Sequence, residues 1–152
     1  MFNLHQWLRV LCSLVLAIAL SLVGIDRAIA APLAPNKQPA KEVKVELGSL
    51  AGDLKFFPAD MAFAAGKRYK LILSNPSPVK HYFTAKDFAG AIWTQKVDAG
   101  NVEIKGAINE LELRPGTQAE WVFVAIRPGT YSLRCVIPGH TEAGMVGTIK
   151  IA

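Results

Sequence analysis

From Lys41 onward, apolar and polar positions alternate in short runs, the pattern of β-strands with one buried face. Val43, Val45 and Leu47 alternate with Lys44 and Glu46 and predict a first half-buried strand. Tyr69–Leu73 (YKLIL), Glu110–Leu113, Tyr131–Cys135 and Val146–Ile151 predict further strands. Ala119–Ile126 (AEWVFVAI) is apolar on both parities, which predicts a central strand covered on both sides. Arg127-Pro128-Gly129-Thr130 reads as a turn. Two stretches are more ambiguous. Leu54–Pro58 reads as a short strand or an extended edge, and a short helix is expected within 86–95, despite Gly90. Many short strands separated by Gly/Pro turns predict an all-β chain folded as a sandwich or barrel. Trp121, Phe123, Leu71 and Leu133 are candidates for its core, as is Trp93, and Met61 is expected to be packing. No internal repeat and no second domain stand out.

The N-terminus follows a different pattern. Arg9 precedes an apolar run from Val10 to Val23, and Ala28-Ile29-Ala30 forms a small-x-small site. The run is shorter than the roughly 18 residues of a spanning helix. Residues 1–30 therefore read as a secretory signal peptide cleaved after Ala30. An uncleaved anchor is the alternative, kept open by the slightly unusual Asp26 and Arg27 just before the cleavage site. Cys12 lies too early, inside the apolar run, for lipid attachment. Residues 31–40, rich in Pro and Ala, read as a flexible leader, and 41–152 as the folded domain. Cleavage would leave 122 of the 152 residues, enough for one core. Loss of Arg9, Asp26 and Arg27 would take the net charge from +5 to +4. These charges are scattered and no Lys/Arg run stands out, so nucleic-acid binding is not expected. Lys80, Lys86 and Arg134 read as solvated surface.

Counting donors narrows the chemistry. Past residue 30 the chain holds one cysteine, two histidines and two methionines. Four of these five are His81, Cys135, His140 and Met145, the last three spaced C-x4-H-x4-M. Singly, each has a plain reading: a lone cysteine is most often a small core residue, and a lone histidine a surface one. Together, two imidazoles, a thiolate and a thioether are the ligand set of a blue-copper electron-transfer centre. Soft sulfur donors favour copper over calcium or magnesium, and a weak fourth ligand argues against structural zinc. Cys135 has no internal partner in a chain expected to be exported, where a free thiol is a hazard unless a metal occupies it. On the strand Tyr131–Cys135, the period of two puts Tyr131, Leu133 and Cys135 on one face. Pro138-Gly139 then turns the chain to His140, and Gly144 and Gly147 flank Met145. His81 must come from elsewhere, just after the turn Asn75-Pro76-Ser77-Pro78.

The segment YSLRCVIPGHTEAGMVGTIKI (131–151) resembles the C-terminal signature of the cupredoxins, the plastocyanin/azurin superfamily. The ligand-loop spacing is closest to rusticyanin-like members. The block Gly-His-x-x-x-Gly-Met-x-Gly is also found in many small exported cupredoxins. The resemblance covers about 41–152, strongly over 129–152. It implies a Greek-key β-sandwich with one type 1 copper at one end. It carries the ligands onto His81, Cys135, His140 and Met145, and suggests the exposed edge of His140 as the electron port. There is one departure: many cupredoxins place Asn or Ser directly after the first ligand histidine, where this chain has Tyr82. That leaves Thr84 or a backbone N–H to support the thiolate.

The leading expectation is therefore an exported, monomeric electron carrier, not an enzyme, serving a donor and an acceptor redox protein. Its compartment would be the periplasm, or the thylakoid lumen of a photosynthetic source, without stable membrane insertion after cleavage. The alternative is a copper-handling protein that delivers or buffers the metal. A copper enzyme would need a further centre with its own histidines.

Overall fold

In a computed structural model, residues 33–152 are described. The signal peptide expected over 1–30, and the start of the leader, lie outside them. Residues 33–40 include a single 3-10 turn at Pro35–Lys37, and Arg68 Nη1 donates a 3.1 Å hydrogen bond to the Gln38 carbonyl.

Among the described residues, eleven strands form two mixed sheets. Sheet one holds β1 (Lys41–Leu47), β2 (Phe56–Phe57), β4 (Arg68–Ser74), β6 (Ile92–Ala99), β7 (Val102–Ile104) and β9 (Gln118–Ala125). Its order is β2-β1-β4-β9-β6-β7. Sheet two holds β3 (Asp60–Phe63), β5 (His81–Thr84), β8 (Glu110–Leu113), β10 (Gly129–Arg134) and β11 (Val146–Ile151), in the order β3-β11-β10-β5-β8. β1 runs parallel to β4 and β3 parallel to β11, and the other pairs are antiparallel. Every connection changes sheet except β1–β2, β6–β7 and β10–β11. This is an all-β sandwich, as the alternating pattern predicts. No helix among the described residues is long and apolar enough to cross a membrane.

The apolar parity of each strand explains the layering. In β4 the exposure alternates residue by residue, with Tyr69, Leu71 and Leu73 buried. In β9, which pairs with β4 on one side and β6 on the other, the apolar residues of both parities are buried. Between the sheets lies a chain of edge-on aromatic contacts. Phe123 meets Phe63 at 5.3 Å and Phe88 at 5.4 Å between ring centroids, and Trp121 meets Phe83 at 6.3 Å. Edge-to-face pairs of this kind add stabilisation beyond their buried area. Met61 is core packing, as expected.

The short helix expected within 86–95 is present but ends early. The helix α1 covers Lys86–Ala89. Its last N–H bonds come from Gly90 and Ala91. From Ile92 the chain pairs with β9 instead, because Ile92, Trp93 and Thr94 suit a pleated surface better than a helix. The expectation of Trp93 in the core does not hold. Its side chain is 51% exposed, on the face opposite to Thr94. Trp121 is fully buried and satisfies its indole N–H on Thr94 Oγ1 at 3.0 Å. Leu54–Pro58 contains the short edge strand β2 (Phe56–Phe57), whereas β3, β5 and β7 have no counterpart among the strands the pattern predicts.

Phe123→Ala should destabilise the copper-free protein by about 3–5 kcal/mol through the cavity it leaves. Leu50→Ala, at a side chain 85% exposed, should stay within about 0.5 kcal/mol of wild type. Urea unfolding followed by tryptophan fluorescence checks both.

Candidate metal centre

Three donors converge at one end of sheet two. His81 opens β5, and Cys135 immediately follows β10, the strand next to β5. His140 sits in the loop between Cys135 and β11. One ligand atom from each of these three residues can be chosen so that all lie within 4.8 Å of one another. Cys135 Sγ lies 3.4 Å from His140 Nδ1 and 4.0 Å from His81 Nδ1. The two imidazole rings are 5.1 Å apart between centroids. Met145, the fourth expected residue, is fully buried, and its carbonyl accepts the Cys135 N–H at 3.1 Å.

The loop 135–145 braces itself. Met145 N–H donates to the His140 carbonyl at 2.9 Å, and His140 N–H to Ile137 at 3.0 Å. Thr141 Oγ1 donates to the Cys135 carbonyl at 2.7 Å. Gly144, with φ +98°, makes the left-handed step before Met145 that a side chain would resist. The backbone around the thiol is therefore tied at both ends and in the middle.

His81 is delivered by a buried turn whose centre is Asn75. Its side-chain amide donates to the Val79 carbonyl at 2.9 Å and to the Leu113 carbonyl at 2.8 Å, and its Oδ1 accepts from Ser77 N–H at 2.9 Å. In the sequence, Asn75 stands out only as a turn former. The Asn-Pro step marks such a turn, but the bond to Leu113 spans 38 residues and leaves no local trace.

Cys135 sulfur accepts a hydrogen bond from the Tyr82 backbone N–H at 3.4 Å. This resolves the departure at position 82. The backbone supplies the donor, so the residue type matters little for that bond. Thr84 does not serve the sulfur: its hydroxyl donates to Glu110 Oε2 at 3.2 Å. The Tyr82 hydroxyl instead donates to Glu112, which also accepts from Lys80 at 3.2 Å. Those hydrogen bonds hold the Glu112 carboxyl below its ordinary pKa and raise those of Tyr82 and Lys80. This cluster is solvated, and its ion pair adds little.

The donor set fits a soft metal. Cys135 is a free, buried thiol. His81 is fully buried, and its Nε2 has no hydrogen-bond partner, while Nδ1 faces the sulfur. At 4.0 Å that contact with sulfur is long, and a metal at Nδ1 would take its place. Two nitrogens and a sulfur at such separations suit copper, with Met145 alongside as a weak thioether donor.

A two-sheet β-sandwich with imidazoles and a thiol converging at one end defines a small copper-binding protein. The chain belongs to the plastocyanin/azurin family of copper-binding proteins, whose model matches residues 43–152, and its cofactor is copper. Among curated relatives it is 24% identical over 112 residues to the copper-resistant cuproprotein CopI of Rubrivivax gelatinosus, covering 67% of this chain and 62% of that protein. It is 28% identical over 112 residues to the major chloroplastic plastocyanin isoform of Arabidopsis thaliana, covering 74% of this chain and 60% of that protein. The chain thus spans about three fifths of the length of these two relatives. The fold is similar to that of auracyanin A, a "blue" copper protein of Chloroflexus aurantiacus. That match has a TM-score of 0.52 at 21% identity and covers 75% of this chain and 100% of that one. None of these three is named as a rusticyanin, and the subgroup suggested by the loop spacing is not confirmed.

Burial, and then the charge of His140, hold His81 below its ordinary pKa of 6.5. In the unfolded chain His81 takes a proton near that value, and in the fold only at lower pH. Between the two, the unfolded state binds more protons, so stability rises with pH there. The copper-free protein should therefore be insensitive to this group above about pH 6.5 and lose stability as pH falls below it. Melting temperatures between about pH 8 and pH 5 check this, with a smaller acid loss expected in His81→Gln.

Proposed function

We propose that this chain is an exported type 1 (blue) copper protein that carries single electrons between redox partners. In this reading His81, Cys135, His140 and Met145 hold the metal. The observation that carries it is the meeting of the His81, His140 and Cys135 donor atoms within 4.8 Å, around a buried thiol already supported by a backbone N–H. Copper bound there would supply a one-electron Cu(I)/Cu(II) couple. The protein's part is to fix the donors. His81 and Cys135 stand on or beside neighbouring strands of one sheet, and the 135–145 loop is cross-braced by its own hydrogen bonds. Donors that cannot move keep structural change on electron transfer small.

His140 is the natural port. Its ring is half-buried, and its loop is flanked by the exposed Val136 and Val146. A small apolar rim allows a donor or acceptor protein to approach with little charge desolvation, as weak redox encounters require. A monomer that meets its partners transiently suits that surface. Enzymatic activity does not suit it: among the described residues His81 and His140 are the only histidines, which leaves none for a second copper centre. Export rests on the N-terminal pattern, with residues 1–30 as a signal peptide removed after Ala30 and the periplasm or a thylakoid lumen as destination.

A second reading, copper buffering or delivery, is favoured by the relative named for copper resistance. The two differ in how the metal is held. A thiolate-bound, enclosed copper gives an intense visible band and leaves slowly, whereas a delivery site releases its metal readily.

Copper-loaded wild type should be strongly coloured and bleach with ascorbate. Cys135→Ala should lose the band while keeping its circular dichroism. A spectrum unchanged in Cys135→Ala would sink the blue-copper reading. Rapid loss of copper from wild type to a chelator would favour delivery.

Met145→Leu should retain the band and raise the reduction potential, because removing a weak donor disfavours Cu(II). Met145→Gln should lower it, since an oxygen donor favours Cu(II). Protein-film voltammetry reads both, and no change in either variant would leave Met145 as packing only.

A further inference from the structure

The loop between β1 and β2 approaches the centre from the other sheet. Gly48, directly after β1, has φ +77°, and its N–H donates to the Lys55 carbonyl at 2.8 Å. A Cβ on this residue would lie 2.7 Å from His81 Nε2, 2.8 Å from Ser77 Cβ and 3.2 Å from the Asp53 carbonyl oxygen. The first two distances are far inside van der Waals contact. Gly48 thus faces the nitrogen of His81 that has no hydrogen-bond partner.

That pairing is informative. A metal-binding histidine ordinarily has its second nitrogen fixed by a carboxylate, carbonyl or water, which sets the ring's direction. Here no protein acceptor does so. The ring is limited on that side by the bare backbone of Gly48 and by the Ser77 turn. Neither wall can yield easily. Ser77 N–H is held by Asn75 Oδ1, and Ser77 Oγ accepts from Val79 N–H at 3.3 Å. On the far side, Ser49 Oγ accepts from Asp53 N–H at 3.2 Å and donates to its carboxylate at 2.6 Å. An added methyl would therefore move the imidazole, and with it Nδ1.

We propose that Gly48 is a positioning residue for the copper centre: by carrying no side chain, it sets the orientation of the His81 ring toward Cys135. The proposal rests on His81 being a ligand.

The loop contains its own control. Gly52 is also left-handed, at φ +85°, yet a Cβ there would meet nothing within 4 Å. Gly48→Ala and Gly52→Ala thus share the backbone strain, and only the first reaches His81. Copper(II)-loaded forms of both should be compared by visible absorption and electron paramagnetic resonance, with copper affinity read by chelator competition. We expect Gly52→Ala to match wild type. Gly48→Ala should show altered copper hyperfine splitting and at least tenfold weaker binding. A wild-type spectrum and affinity in folded Gly48→Ala would overturn the proposal, as would the same spectral change in Gly52→Ala.

Stability of the copper-free forms gives an independent reading. The loss of melting temperature caused by Gly48→Ala should shrink in a His81→Gly background, where the ring is gone. Equal losses in both backgrounds would mean that the strain is in the backbone alone, and the proposal fails. It fails equally if Gly48→Ala is unfolded and the double variant does not recover folding. An absence of the intense band in wild type is a different result, and it would remove the ligand assignment itself.

Discussion

The structure depends most on one local constraint: a thiol and two imidazoles are brought together with too few protein partners to satisfy them. Cys135 and His81 are fully buried, and His140 is half-buried beside them. Burying polar groups without hydrogen bonds is expensive. The protein gives the sulfur one backbone donor and leaves His81 Nε2 none. A soft metal among the three would engage the Cys135 sulfur and the two Nδ1 atoms that face it, and leaves the rest of the fold to hold the donors still. The sequence of the loop, the Asn75 turn and the position of Gly48 all bear on the same small volume.

The sandwich holds them by dividing the labour between sheets. Sheet two carries the donors, since β5 and β10 are neighbours and the loop leads from one end of β10 into β11. Sheet one supplies β9, whose buried side chains fill the space between layers, and the β1–β2 loop that meets His81. Phe83, two residues beyond His81 on the same strand, packs edge-on against Phe56 and Trp121. The ring of a donor and the aromatic core are thus mounted on one short strand. A change in core packing at Phe83 is transmitted to the site by only two residues of extended chain.

This arrangement accounts for a fold that persists at low identity. At 21% identity to auracyanin A the fold is still recognisably similar. Cores tolerate exchange of apolar residues if volume and pattern are kept. The site has less freedom, because a donor atom displaced by a fraction of an ångström changes the chemistry. The substitution of Tyr82 for the more usual Asn or Ser illustrates the boundary. The hydrogen bond to sulfur comes from the backbone, so the side chain is free to turn outward to Glu112.

The sequence by itself determined the class of fold and the chemistry of the donors. Alternation with period two is a local property, and it located β1, β4, β8, β9, β10 and β11 without any knowledge of their pairing. The C-x4-H-x4-M spacing is local as well, and the scarcity of Cys and His past residue 30 left His81 as the remaining imidazole. Tertiary structure decided what depends on contacts between distant segments. It ended the helix expected within 86–95 at Ala89 and made the chain from Ile92 a strand, because pairing with β9 outweighs local preference. It placed Trp93 outside and Trp121 inside, although both lie in apolar surroundings in the chain. It made Asn75 the centre of a buried turn, assigned the sulfur's donor to a backbone N–H 53 residues away, and set Gly48 against His81. Backbone groups and empty space have no signature in a string of side chains. They acquire meaning only when the fold brings another segment against them.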